Sequence, residues 1–330
     1  MCQSPIGLDV AFAWQASRHP LFEDGWGDEG LLGQATGALF LEGPRPKAVE
    51  VRWEGQTARG GLLVKEGRFA SPQSGLPQGV ETAYLRWVTP ARGPGHSACL
   101  ILAGSREEGF ALREAVYGPL VHTGVDLLLL ENPFAGKRRG PGQQSAAVRT
   151  VSDHLLLNLA MGREAEALLG WLGRAGYRRR GVAGYSMGGF MAALVAARTP
   201  EPLAVAALAA GTTPAPVFTK GLLARSVDFS RLGQASGGEE GARARLASLF
   251  GLADVLRLPV VARPSAAVVV GCLKDGYVRA EDTRALAAHW PQSQLRWLQA
   301  GHVSAVLFHR AALRAAVAEA FRGLWQGPSG

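Results

Sequence analysis

The sequence is poor in cysteine, in charge and in long apolar runs, and each shortage removes a class of protein. Only three cysteines occur, Cys2, Cys99 and Cys272. The count is odd, and Cys99 and Cys272 lie inside apolar runs, so no disulfide framework is implied and a reducing compartment fits best. No Cys-x-x-Cys or Cys/His spacing suggests zinc, and no metal is expected. Charged residues make up 19% of the chain, too few for a disordered or coiled-coil protein. No apolar run approaches the ~20 residues needed to span a bilayer. The start, Met1-Cys2-Gln3-Ser4-Pro5, lacks the basic and apolar segments of a secretion signal. No internal repeat is visible. These absences leave a cytoplasmic globular protein without a transmembrane segment.

What is present is enough for a sizeable core: 47% hydrophobic residues over 330 positions. The formal net charge is +8, with short basic runs at Lys137-Arg138-Arg139 and Arg178-Arg179-Arg180. Both flank turns and neither is interleaved with aromatics, so nucleic acid is not expected as a partner, and the runs read as solvated loop charge. Attraction to anionic lipid surfaces or acidic substrates is the lesser reading, which keeps any membrane contact peripheral. The sequence sets no oligomeric state.

Residues 1–45 read as an extension, helical from Leu8 to Ser17 and then rich in turns. Alternating segments follow at 49–53, 62–64 and 83–88, punctuated by Gly and Pro, as expected of antiparallel strands. From residue 98 the pattern changes. Short runs that are almost wholly apolar, at 98–102, 125–130, 182–183, 203–208, 266–270 and 295–298, alternate with helical stretches at about 110–122, 146–176, 187–199, 280–289 and 303–325. Continuously apolar strands are buried on both faces, so a mostly parallel central sheet with helices on both sides is expected over 46–330. Between about 212 and 264 no strand is legible. Pro-bounded, partly amphipathic chain of this length exceeds what a connector needs and reads as a helical cap insertion.

Gly184-Tyr185-Ser186-Met187-Gly188 has the spacing of a nucleophile elbow. In a chain with 43 glycines the pattern alone is weakly specific. Its context strengthens it, because a short strand precedes and a convincing helix follows. A serine hydroxyl needs a base, and in this arrangement the acid and then the histidine follow the serine along the chain. Of His289, His302 and His309, only His302 lies in a loop after an apolar strand; His289 reads as surface and His309 as packing inside the last helix. Among Asp228, Asp254, Asp275 and Asp282, Asp275 directly follows a strand, although an Asp there could also cap the next helix. The oxyanion hole needs two backbone N–H groups: Met187, and Ser105 in the loop Ala103-Gly104-Ser105. The His-Gly pair usual in that loop is replaced by Ala103-Gly104.

Four stretches carry a family likeness: Leu102-Ala103-Gly104, Glu131-Asn132-Pro133-Phe134-Ala135-Gly136, Ser186-Met187-Gly188-Gly189 and Gly301-His302-Val303-Ser304-Ala305, joined by 216–223 in the cap. Over about 98–310 the chain resembles the alpha/beta-hydrolase domain-containing protein 18 family. The resemblance implies the α/β-hydrolase fold, a serine hydrolase without cofactor, a lipid-type acyl substrate and a triad of Ser186, Asp275 and His302. No organelle-targeting segment is read here, so no membrane or mitochondrial placement carries over. The expected activity is hydrolysis of a carboxylic ester, with Gly104, Tyr185, Phe218 and Leu222 as substrate-side candidates. Peptidase, amidase or acyltransferase chemistry would use the same triad, and a non-catalytic binding module is the rival of another class.

Overall fold

The computed structural model describes residues 7–35 and 45–325. Cys2, the first six residues and 36–44 of the extension lie outside them. The strands are β1 (Arg52–Arg59), β2 (Leu62–Ala70), β3 (Thr82–Pro90), β4 (Ser97–Leu102), β5 (Val125–Leu130), β6 (Arg179–Tyr185), β7 (Ala204–Leu208), β8 (Ala267–Cys272) and β9 (Gln294–Leu298). They form one sheet in the order β1-β2-β3-β5-β4-β6-β7-β8-β9. Pairing is antiparallel from β1 through β3 to β5 and parallel from β5 to β9. This is the mostly parallel central sheet expected from the apolar runs, in the α/β-hydrolase fold that the resemblance implies.

Alternation along each inner strand builds the two cores. Leu100, Leu102, Leu128, Leu130, Val182 and Val205 face one layer, with the helices Val151–Arg174 and Met187–Arg198 packed on it. Their neighbours Cys99, Ile101, Leu127, Leu129, Ala183 and Ala206 face the other, covered by Ala111–Tyr117 and Arg310–Trp325. We label these helices α4, α5, α3 and α11 in that order. Both faces of each strand are therefore dry, which is why the sequence shows no period-two signal there.

Local boundaries differ from the sequence reading where pairing or capping, not burial, decides them. The edge strand β1 is exposed along its whole length and begins at Arg52, so most of the 49–53 alternation precedes it. Its ladder to β2 and an irregularity between Trp53 and Gly55 fix its position. Helix α4 starts at Val151, not near 146, because the Thr150 hydroxyl accepts the Asp153 N–H at 3.0 Å and caps it. The last helical stretch is two helices, α10 (His302–Phe308) and α11, joined at His309.

The chain between β7 and β8 is helical: α6 (Ala215–Thr219), a 3-10 turn at Leu222–Ser226, α7 (Phe229–Gly233) and α8 (Glu239–Phe250). It shares an apolar core with the N-terminal segment, where Phe22 packs against Phe218 and Phe250. Leu21 N–H donates to the Ser226 carbonyl, Asp228 N–H donates back to the Leu21 carbonyl, and Trp26 Nε1–H donates to the Leu232 carbonyl at 3.0 Å. The extension is thus stitched to this insert. One basic run corrects the solvated reading. Arg138 is fully buried, donating to both Glu164 carboxylate oxygens (2.6 and 2.8 Å) and to the carbonyls of Val80 and Glu131. In the other run Arg178 and Arg179 are exposed.

Candidate active site

The candidate residues sit at the C-terminal ends of parallel strands, where ligands bind in such sheets. Ser186 is the turn residue between β6 and α5, with φ 58° and ψ −121°, a conformation that L side chains rarely adopt. The surrounding backbone holds it there: its N–H donates to the Leu208 carbonyl of β7 at 2.8 Å. Glycine is required beside it. A Cβ on Gly184 would overlap the Gly188 backbone, and one on Gly188 would overlap the Leu102 and Ala103 carbonyls. Strand, serine and helix can turn this tightly only with hydrogen in those places.

His302 is the first residue of α10, in the loop after β9. Its Nδ1 lies 2.7 Å from Asp275 Oδ2, with side-chain exposures of 11% and 2%. Asp275 follows β8, and its other oxygen accepts the N–H groups of Tyr277 and Val278 at 2.8 and 2.9 Å. The carboxylate is thus aimed by backbone on one side and meets the imidazole on the other. Burial works against a charge on His302, but Asp275, through charge and hydrogen bond, and then Asp9 outweigh it. The ring is held above its ordinary value. Ser186 and His302 line the same cavity of about 350 Å³.

The other acids and histidines are occupied elsewhere. Asp228 caps α7, Asp254 caps a 3-10 turn and Asp282 pairs with Arg279. His289 Nε2 lies 3.0 Å from the Leu258 carbonyl, and His309 is the joint between α10 and α11. Cys272 stands near the site, but burial, and then the Asp275 charge, pushes its thiol up to about 12, so no thiolate competes as nucleophile.

The loop after β4 is held from several sides. Glu107 Oε2 accepts the Gly104 N–H at 3.1 Å, and Asn132 Nδ2 donates to the Gly104 carbonyl at 2.8 Å. Arg113, 3% exposed, ties Glu107 to the Ile101, Leu130 and Gly109 carbonyls. Gly104 N–H is thereby spent, while no acceptor takes the Ser105 or Met187 N–H among the described residues. Ser105 lines the large cavity and a smaller one of about 50 Å³; Ser186 lines both, and Met187 the smaller. Gly104 and Tyr185 also line the large cavity and Phe218 the small one. Leu222 faces the core of the insert, while its neighbour Leu223 lines both cavities.

Several residues at the site were given no role by the sequence. Asn132, inside the 131–136 stretch of the family likeness, and Arg113, which carries no motif, shape the loop after β4 through hydrogen bonds to backbone carbonyls. His154, among Phe22, Phe218 and Phe250, lines the small cavity; burial pushes it down to about 3, so it stays neutral. Asp9, from the helix α1 (Gly7–Ala16), is fully buried against the His302 loop. The Tyr185 hydroxyl donates to the His302 carbonyl at 2.6 Å.

Residues 19–240 and 234–323 match the family described as alpha/beta hydrolase domain containing 18. The chain belongs to that family. The two matched segments span the sheet, the insert and the loops of Ser186, Asp275 and His302 in this family member. Among solved structures it is similar to an acetyl xylan esterase from Paenibacillus sp. R4, with 15% identity, a TM-score of 0.58, and coverage of 92% of this chain and 98% of that one. Acetyl xylan esterase 1 from Thermoanaerobacterium sp. JW/SL YS485 gives 14% identity, a TM-score of 0.56, and 93% and 98% coverage. A cold-adapted esterase from an Arctic intertidal metagenomic library gives 16%, 0.52, and 81% and 99%. Identities this low speak for the shared fold alone. Among the described residues no helix is long and apolar enough to cross a membrane, and no cluster of His, Cys, Asp or Glu could hold a metal ion.

Proposed function

We propose that this family member is a serine hydrolase that cleaves carboxylic esters through an acyl-enzyme on Ser186. The observation that carries the reading is the His302–Asp275 contact of 2.7 Å beside a serine in elbow geometry on the same cavity. In the first half-reaction His302 Nε2 takes the hydroxyl proton as Oγ attacks the ester carbonyl carbon. The tetrahedral oxyanion is held by the Met187 and Ser105 N–H groups. His302 then passes its proton to the leaving alcohol as the C–O bond breaks. In the second half-reaction the same nitrogen deprotonates water, which attacks the acyl-enzyme and releases the acid and the serine. Asp275 keeps Nδ1 protonated and stabilises the imidazolium throughout.

The lining of the large cavity favours an apolar acyl or alcohol group. Phe12, Leu112, Val116, Val217, Leu223 and Leu307 are among the residues that line it. Each methylene buried there contributes about 0.8 kcal/mol, or about four-fold in kcat/KM. Hydrolysis of p-nitrophenyl esters from acetyl upward tests this: kcat/KM is expected to climb with chain length until the cavity is filled. A profile that peaks at acetyl and falls from there would refute an apolar-group substrate while leaving ester hydrolysis standing.

A further inference from the structure

Asp9 is a carboxylate with no solvent exposure and no cationic partner among the described residues. Its bonding partners are distant backbone groups. Oδ2 accepts the N–H of Gly276 at 3.0 Å and of His302 at 2.9 Å, and Oδ1 accepts the N–H of Val303 at 2.8 Å. Its carbonyl accepts the Tyr277 hydroxyl at 3.1 Å. Gly276 is the residue after Asp275, and His302 and Val303 open α10. One side chain therefore bonds both loops that carry the base and its orienting acid. It also supplies a cap for α10 that the helix's own sequence lacks, since Gly301 stands at the N-cap position. The approach is close: a Cβ on Gly301 would come within 2.9 Å of Oδ1 and 3.0 Å of Oδ2, so the carboxylate would have to shift.

A buried carboxylate is costly unless its lone pairs are filled. Packing alone would be met by an apolar residue here, because α1 already buries Ala13 and sets Phe12 on the cavity wall. The arrangement instead spends three charge-assisted hydrogen bonds on fixing one loop against another. We propose that Asp9 is a positioning residue for the reaction at Ser186, locking the His302 and Asp275 loops in register so that α1 is a working part of the active site. This rests on the reading of Ser186, His302 and Asp275 as the reacting set.

The titratable and charged groups around His302 come from every side. Asp275 meets its ring and Asp9 its backbone; the rings of Tyr185 and Tyr277 lie at 5.0 and 4.9 Å. Cys272 stands behind Tyr185, and Arg106 beside Tyr277. Of the two carboxylates, Asp9 contributes its charge from the N-terminal end of α10, so its removal acts on His302 in two ways. Geometry loosens, and the ring becomes harder to protonate.

The test compares wild type with Asp9→Asn in fluorophosphonate labelling rate and in steady-state hydrolysis of a p-nitrophenyl ester over a range of pH, with the unfolding midpoint measured alongside. Misplacement of the base by a fraction of an ångström lowers kcat by about 10- to 100-fold. We expect that loss with KM little changed, and the acid limb of the rate profile displaced to lower pH. A change confined to packing would lower the unfolding midpoint but leave the acid limb in place. Folded Asp9→Asn with wild-type kcat and an unmoved acid limb overturns the proposal alone. Failure of wild type to label at Ser186 removes the reading beneath it and the proposal together. Should Asp9→Asn not fold, Asp9→Glu keeps the charge and displaces the carboxylate by one methylene. It is expected to lower kcat with the acid limb retained, and wild-type kcat in that variant overturns the proposal.

Discussion

Replacing Asp275 by Asn isolates the charge of the orienting acid from its shape. The wild-type carboxylate accepts two backbone N–H groups on Oδ1 and faces His302 Nδ1 with Oδ2 at 2.7 Å. An asparagine keeps its single oxygen on the Tyr277 and Val278 N–H groups, because turning over would set its NH2 against two donors. Its amide nitrogen then faces Nδ1, which must become an acceptor. The ring proton moves to Nε2, and the atom that should take the Ser186 proton no longer can. The imidazolium that forms in the transition state also loses its partner. At a charge separation of about 4 Å and an effective dielectric of about 20, that interaction is about 4 kcal/mol, or about 10³-fold in rate. With the tautomer penalty added, kcat should fall by about 10³- to 10⁴-fold. KM should stay within a few-fold, since the ester touches neither group in the ground state. Both backbone bonds survive, so the unfolding free energy should move by less than about 1 kcal/mol. Steady-state hydrolysis of a p-nitrophenyl ester and urea unfolding measure the two quantities. A folded variant that keeps more than a tenth of wild-type kcat would refute the assignment of Asp275.

Two further outcomes follow from the same geometry. His302 must be neutral to act as base, and Asp275 and Asp9 hold its ring above the ordinary 6.5. Activity should therefore be lost as pH falls through a midpoint above 6.5, read from the acid limb of kcat/KM; a midpoint below 6.5 contradicts the electrostatic account. Separately, Glu164→Ala strands the buried guanidinium of Arg138. It should cost about 3–5 kcal/mol in urea unfolding, and a loss under about 1 kcal/mol would mean that the pair is solvated.

Legibility in the sequence followed the range over which each residue acts. The inner strands were readable because burial on both faces leaves unbroken apolar runs, such as Leu127 to Leu130. The elbow was readable because Gly184 and Gly188 flank the serine at a fixed spacing, although only Gly184 is demanded by a near neighbour, the Gly188 backbone, while Gly188 answers to the distant Leu102 and Ala103 carbonyls. His302 and Asp275 stood out by place: each follows a strand, and strand ends share one edge. Asp9 gave no such mark, since its partners are backbone N–H groups 267 and 293 residues away that carry no side-chain signature. Arg138 misled for a related reason. A basic triplet reads as solvent-facing, and the acid that draws its middle member inward lies 26 residues on, inside α4. The tether between the extension and the insert was equally silent, being built from main-chain bonds at Leu21 and Asp228 and an apolar cluster around Phe22.

The measurement that bears most directly on the central claim is covalent labelling by a fluorophosphonate, run on wild type and on Ser186→Ala of matched fold. The account expects wild type to label with one equivalent at Ser186 and the variant not to label at all. Labelling that persists undiminished in Ser186→Ala, or a folded wild type that does not react, would contradict it.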